Sequence, residues 1–514
     1  MILWYDTHYC YNAILQSQFA LKFSLIPSLN INYSLGVDSF SLWFILLSTF
    51  LIPICILVSW ENIKFRIKEF LLLLFFLEFL LIQIFSITDL IIFYLLFEGV
   101  LIPMFIMIGV WGSRERKIFA AYQFFLYTFI GSVFMLIALL YLYITFGTSS
   151  YHFLLFWTPY LSSVESFYCW LAFFFAFAIK VPMIPVHIWL PEAHVEAPTA
   201  GSVLLAGILL KLGGYGMLRY LIPFFPSATI YFLPFVYSLC IVGIIYTSAV
   251  TVRQVDLKKI IAYSSVAHMS FVILGLFSLT INGIEGGIFL MLSHGIVSSA
   301  LFICIGILYD RYHSRLIFYY GGLTTLMPLY SIFFFLFTLA NMGLPGLSNF
   351  VGELLVLLGL VSMSPVIAVL AAIGTILGAI YSIWLYNRLM FGNVQIEFIQ
   401  EYADINKREF FILFWLFSLI LFFGIYPKAI LATLVEPSWY TLSSYKEITG
   451  FEAASDFTFY NQKEAIFKNP YARLKYGTKF GEVQDNEFFK NWSFSSIFNY
   501  FNDLIKNIFK IFKK

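Results

Sequence analysis

Apolar runs long enough to cross a lipid bilayer recur along this chain almost without pause from residue 37 to residue 436. A helix needs about 20 apolar residues to span the hydrocarbon core. That length predicts twelve spans: 37–59, 69–88, 89–111, 117–146, 165–190, 198–222, 228–252, 260–280, 285–309, 326–363, 365–391 and 409–436. The fifth and the tenth are interrupted, one by Pro182 and Pro185, the other by Gly343-Leu344-Pro345-Gly346. Broken helices survive in a membrane only where protein or a water-filled cavity surrounds the freed backbone, so both breaks predict a polar interior.

Spans two to six and seven to eleven form two groups of five (about 69–222 and 228–391), each with its fourth member broken. An odd number of crossings inserts the second group upside down relative to the first, the inverted-repeat plan of ion-coupled transporters. The expected fold is therefore all-α and polytopic, with two inverted five-helix repeats in a domain 37–436. Residues 1–36 hold Asp6, His8, Gln16, Gln18 and Lys22 and lack the apolar core of a cleavable signal; they read as a short extension. Residues 437–514 are polar and hold eleven of the thirty basic residues. Their end, Ile505 to Lys514, reads either as a basic amphipathic helix on a membrane or partner surface or as a solvated tail packed on neighbours.

Charge placement orients the bundle. Alternating loops give one side Lys64, Arg66, Lys68, Arg114, Arg116, Lys117, Arg253, Lys258, Lys259, Arg311, Arg315, Arg388, Lys407 and Arg408, and the other little beyond Lys22, Arg219 and Lys428. The rich side belongs in the matrix or cytoplasm, which places both termini outside. Composition agrees: of 514 residues 61% are apolar and only 11% charged, far short of the quarter or so that keeps a soluble domain in water. A soluble enzyme, a nucleic-acid binder and a disordered scaffold are excluded. Heavy use of Phe, Tyr, Ile, Asn and Lys hints at an organelle-encoded gene. Cys10, Cys55, Cys169, Cys240 and Cys304 are scattered, without the spacing of a disulfide framework or metal site.

Charge inside the spans is the informative chemistry, because one ionised group at the bilayer centre costs roughly 2.5–3.5 kcal/mol on insertion scales. Glu98 lies nine residues into the third span, Lys180 just before the break in the fifth, Lys211 in the middle of the sixth. His268 and His294 occupy the eighth and ninth, and Glu353 follows the break in the tenth. An acid beside a lysine in a dry interior favours the charged lysine, and withdrawing the acid favours its deprotonation, so a Glu98–Lys180 pair is suited to load and unload a proton. Histidine, titrating near neutrality, suits a relay between such sites. Static ion pairs that fix helix packing are the competing reading. Glu78, the one charge in its span beyond the first residue, suits an orienting role as well as a direct one. His187, Glu192, His194 and Glu196 invite a metal reading, but they lack H-E-x-x-H spacing and sit in a Pro-rich connection. No nucleotide, flavin, haem or iron–sulfur motif appears, so the proton chemistry must be driven by partners or an ion gradient.

Four blocks carry a resemblance: FEGVLIPMFIMIGVWG (97–112), KVPMIPVHIWLPEAHVEAPTAGSVLLAGILLKLGGYGMLR (180–219), RQVDLKKIIAYSSVAHMSF (253–271) and MGLPGLSNFVGELLVL (342–357). They closely resemble the antiporter-like membrane subunits of NADH:ubiquinone oxidoreductase, respiratory complex I, and among these the chain 4 branch, over about residues 33–436. The resemblance implies one proton path per subunit. It matches Glu98 to the family's essential glutamate, Lys180 to its broken-helix lysine and Lys211 to its central lysine. His268 and His294 match its relay histidines, and Glu353 its terminal acid, where sister chains usually carry lysine. It also implies a place in the mitochondrial inner membrane beside neighbouring antiporter-like chains and lipids, with accessory subunits at the tail. NADH, FMN, iron–sulfur clusters and ubiquinone would be held by partner subunits, with none in this chain. The family's first two helices have no counterpart before LGVDSFSLW (35–43), and its members have no recognised match to the tail. A multi-subunit cation/proton antiporter and a non-pumping spacer of complex I are the alternative readings.

Overall fold

The computed structural model describes residues 18–394 and 403–449. The chain divides into two units, Met1–Ala454 and Ser455–Lys514, and every described residue lies in the first. The amphipathic end at 505–514, most of the polar tail and Cys10 fall outside the described residues.

Eleven helices are long and apolar enough to cross a membrane, and two shorter ones, Pro328–Asn341 and Ser348–Met363, form the two halves of the broken tenth span. All twelve expected spans are thus present, in order: Ser39–Ser59, Ile67–Ser86, Leu90–Trp111, Lys117–Phe146, Ser163–Lys180, Thr199–Phe224, Pro226–Arg253, Leu257–Phe277, Ile281–Tyr312, the tenth pair, Pro365–Met390 and Lys407–Ile425. The fifth span continues beyond its break as the short helix Trp189–Glu196. The two breaks sit in the fourth member of each group of five, which is consistent with two repeats. The sixth and ninth spans are buried on every side while the fourth, eleventh and twelfth expose most of theirs, which is why helices of similar apolar content occupy opposite places in the bundle.

Polar residues at the span ends set where each helix starts. Asp89 accepts from the amides of Ile91 and Ile92 and from Ser149 Oγ. Asp256 and Thr280 cap the eighth and ninth spans, and Ser162–Glu165 and Asn406–Glu409 are capping boxes. At the end of the bundle where the first span begins, Asp38 pairs with Arg219, whose guanidinium lies 3.9 Å over the Tyr151 ring. At the opposite end the basic loops meet one another. Asn62 donates to Asp310 at 2.6 Å, Arg408 pairs with Glu61 at 2.9 Å and Arg311 with Glu409 at 2.7 Å. One end of the bundle therefore gathers the loops that charge counting assigned to one side.

Three features depart from the expected layout. The N-terminal extension contains an antiparallel hairpin, β1 (Gln18–Ile26) and β2 (Ile31–Val37), with Leu21 opposite Leu35 and Phe23 opposite Tyr33. It is the sole strand pair among the described residues, so the fold is all-α in its spans. The hairpin leans on the bundle through Thr88, whose amide donates to Ser34 O at 2.9 Å. The apolar run to residue 436 is not one helix: Pro427 follows the end of the twelfth span, and a separate helix, Lys428–Thr449, begins there and runs through the position where the polar tail was expected to start. The third span is two segments, Leu90–Gly99 and Leu101–Trp111. Pro103 has no amide to offer Gly99 O, four residues back, and the interruption, at Val100, falls two residues past Glu98.

Candidate functional site

Lys211 is fully buried at the middle of the sixth span, held by a local distortion. Residues Leu205–Leu209 form a π-helical turn in which the Leu210 amide reaches back five residues to Leu205 O. Such turns release carbonyls from the regular ladder and recur at functional positions. Here the Lys211 ammonium donates to Ala206 O and, at 3.0 Å, meets His294 Nδ1 on the ninth span. The sixth and ninth helices approach backbone to backbone: a Cβ on Gly295 would lie 2.9 Å from Gly207 O. Only glycine at that crossing lets the lysine reach the imidazole.

From His294 the polar groups continue. The His268 ring centre is 5.5 Å from that of His294, and its Nδ1 lies 3.5 Å from Glu353 Oε1. Tyr381 Oη is 3.5 Å from His268 Nε2. Beside them a cavity of about 20 Å³, lined by His268, Asn341, Glu353 and Tyr381 among others, has room for about one water. Lys211, His294, His268 and Glu353 are thus a continuous file across four spans, and all four are buried.

The break in the tenth span shapes the Glu353 end. Gly343 has φ +74°, and a Cβ there would come within 2.5 Å of Glu353 Oε2. Ser348 and Asn349, both fully buried just past the break, present Ser348 Oγ, Asn349 Oδ1 and Asn349 Nδ2 with no hydrogen-bond partner among the described residues, so the break is lined with polar atoms rather than packed dry. Gly343→Ala is expected to lower coupled turnover several-fold in assembled complex, because it strains the backbone and displaces the carboxylate; turnover equal to wild type would show that Glu353 tolerates another position.

Glu98 and Lys180 form a second locus. Lys180 ends the helix Ser163–Lys180, donates to Phe97 O at 3.3 Å and lies 4.1 Å over the Phe97 ring. Glu98, the next residue, points both carboxylate oxygens into the interior without a hydrogen bond among the described residues; Ser132 and Lys180 are the groups that act on it. The pair is near but not in direct ion-pair contact, since the lysine is bound to the backbone one residue earlier. The Lys180 and Lys211 helices are close-packed, for a Cβ on Gly213 would meet Val181 Cγ2 at 2.5 Å.

Other sites differ from the sequence reading. Glu78 is half-buried and makes no hydrogen bond or ion pair among the described residues. His187, Glu192, His194 and Glu196 do not gather as ligands: Glu192 pairs with Lys259 at 2.7 Å, Glu196 lies 3.5 Å from Arg315, and His194 stacks on Phe302 at 4.5 Å. No cluster of three His, Cys, Asp or Glu side chains suited to a metal occurs among the described residues. Two buried groups escaped sequence reasoning. His194 is fully buried with both ring nitrogens unpartnered among the described residues, although its Pro-rich surroundings read as a loop. Glu285 is buried near the start of the ninth span, at a position that reads in the sequence as a span boundary.

Comparison with known proteins places this geometry. Residues 87–378 match the family described as NADH:quinone oxidoreductase/Mrp antiporter, TM. The chain is similar to NADH-ubiquinone oxidoreductase chain 4 of Chondrus crispus, 57% identical over 414 residues covering 80% of this chain and 84% of that protein. It is similar to the chain 4 of Arabidopsis thaliana, 56% identical over 432 residues covering 82% and 87%. Among solved structures, a chain of respiratory complex I from Thermus thermophilus with bound NADH matches with a TM-score of 0.79 at 30% identity, covering 86% of this chain and 92% of that one. A chain of the Mrp complex from Dietzia sp. DQ12-45-1b matches with a TM-score of 0.73 at 18% identity, over 86% and 91%, and shows the shared fold.

Proposed function

Because the chain belongs to the NADH:quinone oxidoreductase/Mrp antiporter transmembrane family, and is a chain 4 subunit of NADH:ubiquinone oxidoreductase, we propose that it carries protons across the membrane along the buried file Lys211–His294–His268–Glu353. It is a multi-pass membrane protein, and its eukaryotic relatives imply the mitochondrial inner membrane. The observation that carries the reading is the contact of Lys211 with His294 at 3.0 Å, continued to Glu353 through His268. In a dry bundle, four ionisable groups in file on four helices are costly, and a chain kept only as a spacer has no use for them.

Protons enter from the basic, matrix side, pass Lys180, Lys211 and the two histidines, and leave outward near Glu353; both termini lie outside. Lys211, with three ammonium donors, releases one proton toward His294 Nδ1 while Ala206 O still holds the amine. His294 and His268 pass it on as neutral imidazoles that charge transiently, and Glu353 receives it beside the break. Glu98 governs the entry end: drawn toward Lys180 it favours the charged ammonium, and withdrawn it favours release. The break in the third span, at Val100, lies two residues from Glu98. Quinone reduction elsewhere in the complex supplies the energy, with NADH, FMN, iron–sulfur clusters and ubiquinone in partner subunits. Neighbouring antiporter-like chains, accessory subunits at the tail and membrane lipids complete the surroundings.

Lys180→Met in an otherwise assembled complex is the test. NADH:quinone turnover and proton pumping should fall together by about tenfold or more. Normal pumping would assign Lys180 to packing and favour the spacer reading. Sodium-dependent pumping without NADH dehydrogenase activity would favour the cation/proton antiporter.

A further inference from the structure

Glu285 stands in the second turn of the ninth span, 7% exposed, and the path described above does not use it. Its level in the bundle follows from how the ninth span packs on the second half of the tenth. A Cβ on Gly286 would meet Leu355 Cβ and Val356 N at 2.7 Å, and one on Gly352 would meet Leu290 Cβ at 2.8 Å. The two helices therefore run antiparallel in close contact, with Glu353 level with about residue 289. His294 lies further in. Glu285 lies roughly 6 Å further out than Glu353, at 1.5 Å per residue, toward the end of the bundle where Asp38 meets Arg219.

The last described helix reaches this carboxyl. Ser438, fully buried, places Oγ 3.2 Å from Glu285 Oε1 and 2.7 Å from Leu434 O. Trp43 Nε1 donates to Thr433 Oγ1 of the same helix at 2.8 Å and fixes it against the first span. No lysine, arginine or histidine lies within ion-pair distance of Glu285 among the described residues. A hydroxyl between a carboxyl and a carbonyl serves both protonation states. When Glu285 is ionised, the Ser438 hydroxyl donates to it. When Glu285 is protonated, its own O–H donates to Ser438 Oγ, and the serine proton turns to Leu434 O.

We propose that Glu285 is the last proton-carrying carboxyl of this chain before the outer surface, with Ser438 as its positioning residue. The step is one proton moved and no bond to carbon changed. Glu353 in its acid form gives a proton across about one helical turn, through water, to the Glu285 carboxylate; Glu285 then releases it to water on the outer side. The proposal rests on the proton path described above.

The experiment is NADH:quinone turnover and proton pumping in membranes carrying assembled complex with Glu285→Gln, Glu285→Asp, Ser438→Ala or Ser438→Thr, with Lys211→Met beside them. Glutamine keeps the hydrogen bond to Ser438 and loses only proton exchange, so turnover and pumping should drop about tenfold or more, while aspartate keeps most of both. Ser438→Ala should lower pumping and Ser438→Thr restore it. Wild-type pumping in Glu285→Gln overturns the proposal. If Lys211→Met loses pumping in that same series, the path stands without Glu285; if neither variant loses it, the path itself fails. Should Glu285→Gln not assemble, the serine pair decides: normal pumping in Ser438→Ala overturns the arrangement, and loss rescued by threonine supports it.

Discussion

Lys211→Met is expected to stop proton movement through this chain while leaving the complex assembled. Methionine reproduces the lysine chain as far as Cε, so the packing at the Gly207–Gly295 crossing persists. What disappears is the ammonium between Ala206 O and His294 Nδ1. Two buried acceptors then lack a donor, a loss of about 1–3 kcal/mol, which a bundle this extensively buried withstands. Function is affected far more, because the proposed path loses its proton donor to His294. Coupled turnover should fall on the order of a hundredfold, read as NADH:quinone activity together with the proton gradient formed in sealed membranes. Lys211→Arg separates charge from proton exchange. Guanidinium stays charged in proteins, so an arginine keeps the positive charge but cannot pass on a proton, and it should be as inactive as methionine. Pumping restored by arginine would show that a fixed charge is enough, and the relay through Lys211 would have to be abandoned.

Much of this arrangement is legible in the sequence, because a membrane simplifies the physics. Every span must satisfy its own backbone, so twelve apolar runs read directly as twelve crossings, and the charges that interrupt them stand out by their cost. Lys211, His268, His294 and Glu353 are found this way, and the structure brings them into one file. Contacts between helices are another matter. That Lys180 binds Phe97 O instead of the Glu98 carboxylate depends on how the fifth span lies on the third, and no spacing within either sequence encodes it. The π-helical turn under Lys211 is equally silent, since LLAGILLKLGG reads as ordinary helix and only the release of Ala206 O distinguishes it.

The features that were not legible share a cause: a local signal outweighed by a stronger neighbour. In QFALKFSLI, alternate Phe19, Leu21, Phe23 and Leu25 have the period of a strand, but residues 1–36 read only as a short extension before the first span. Pro427 separates two helices, yet apolar Ile430, Leu431 and Leu434 beyond it prolong the hydrophobic run and hide the boundary. Glu285 sits where an apolar run begins, the place where acids are commonest and least informative. Its significance appears only when Ser438, 153 residues later, closes on it. His194 was discounted for its neighbouring prolines, whereas the half-helix Trp189–Glu196 carries it inward against Phe302.

The loops at the basic end of the bundle supply the second large effect, on stability. Arg315 has no exposed surface and joins four separate segments. It donates to Val195 O, reaches Ser113 Oγ at 3.5 Å, and lies 3.5 Å from Glu196 Oε1 and 3.8 Å from Asp256 Oδ2. Lys258, also buried, ties in Ala197 O at 2.8 Å. These contacts hold the end of the broken fifth span against the loops before the fourth, eighth and tenth. Arg315→Met leaves two carboxylates around an uncharged side chain, and breaking a buried pair by removing one partner costs roughly 3–5 kcal/mol. The amount of intact complex on native gels should fall severalfold, and its thermal inactivation should move to lower temperature. Lysine should not rescue it, since a point ammonium lacks the planar fork that serves a carbonyl, a hydroxyl and two carboxylates together. Adding Glu196→Gln to Arg315→Met should recover part of the loss by removing one uncompensated charge. Asp256 keeps its place at the N-cap of the eighth span, where the Lys258 amide donates to it at 3.0 Å. If the single variant accumulates normally and the double variant gains nothing, the cluster contributes no net stability, and the inner end of the fifth span is held by its apolar packing alone.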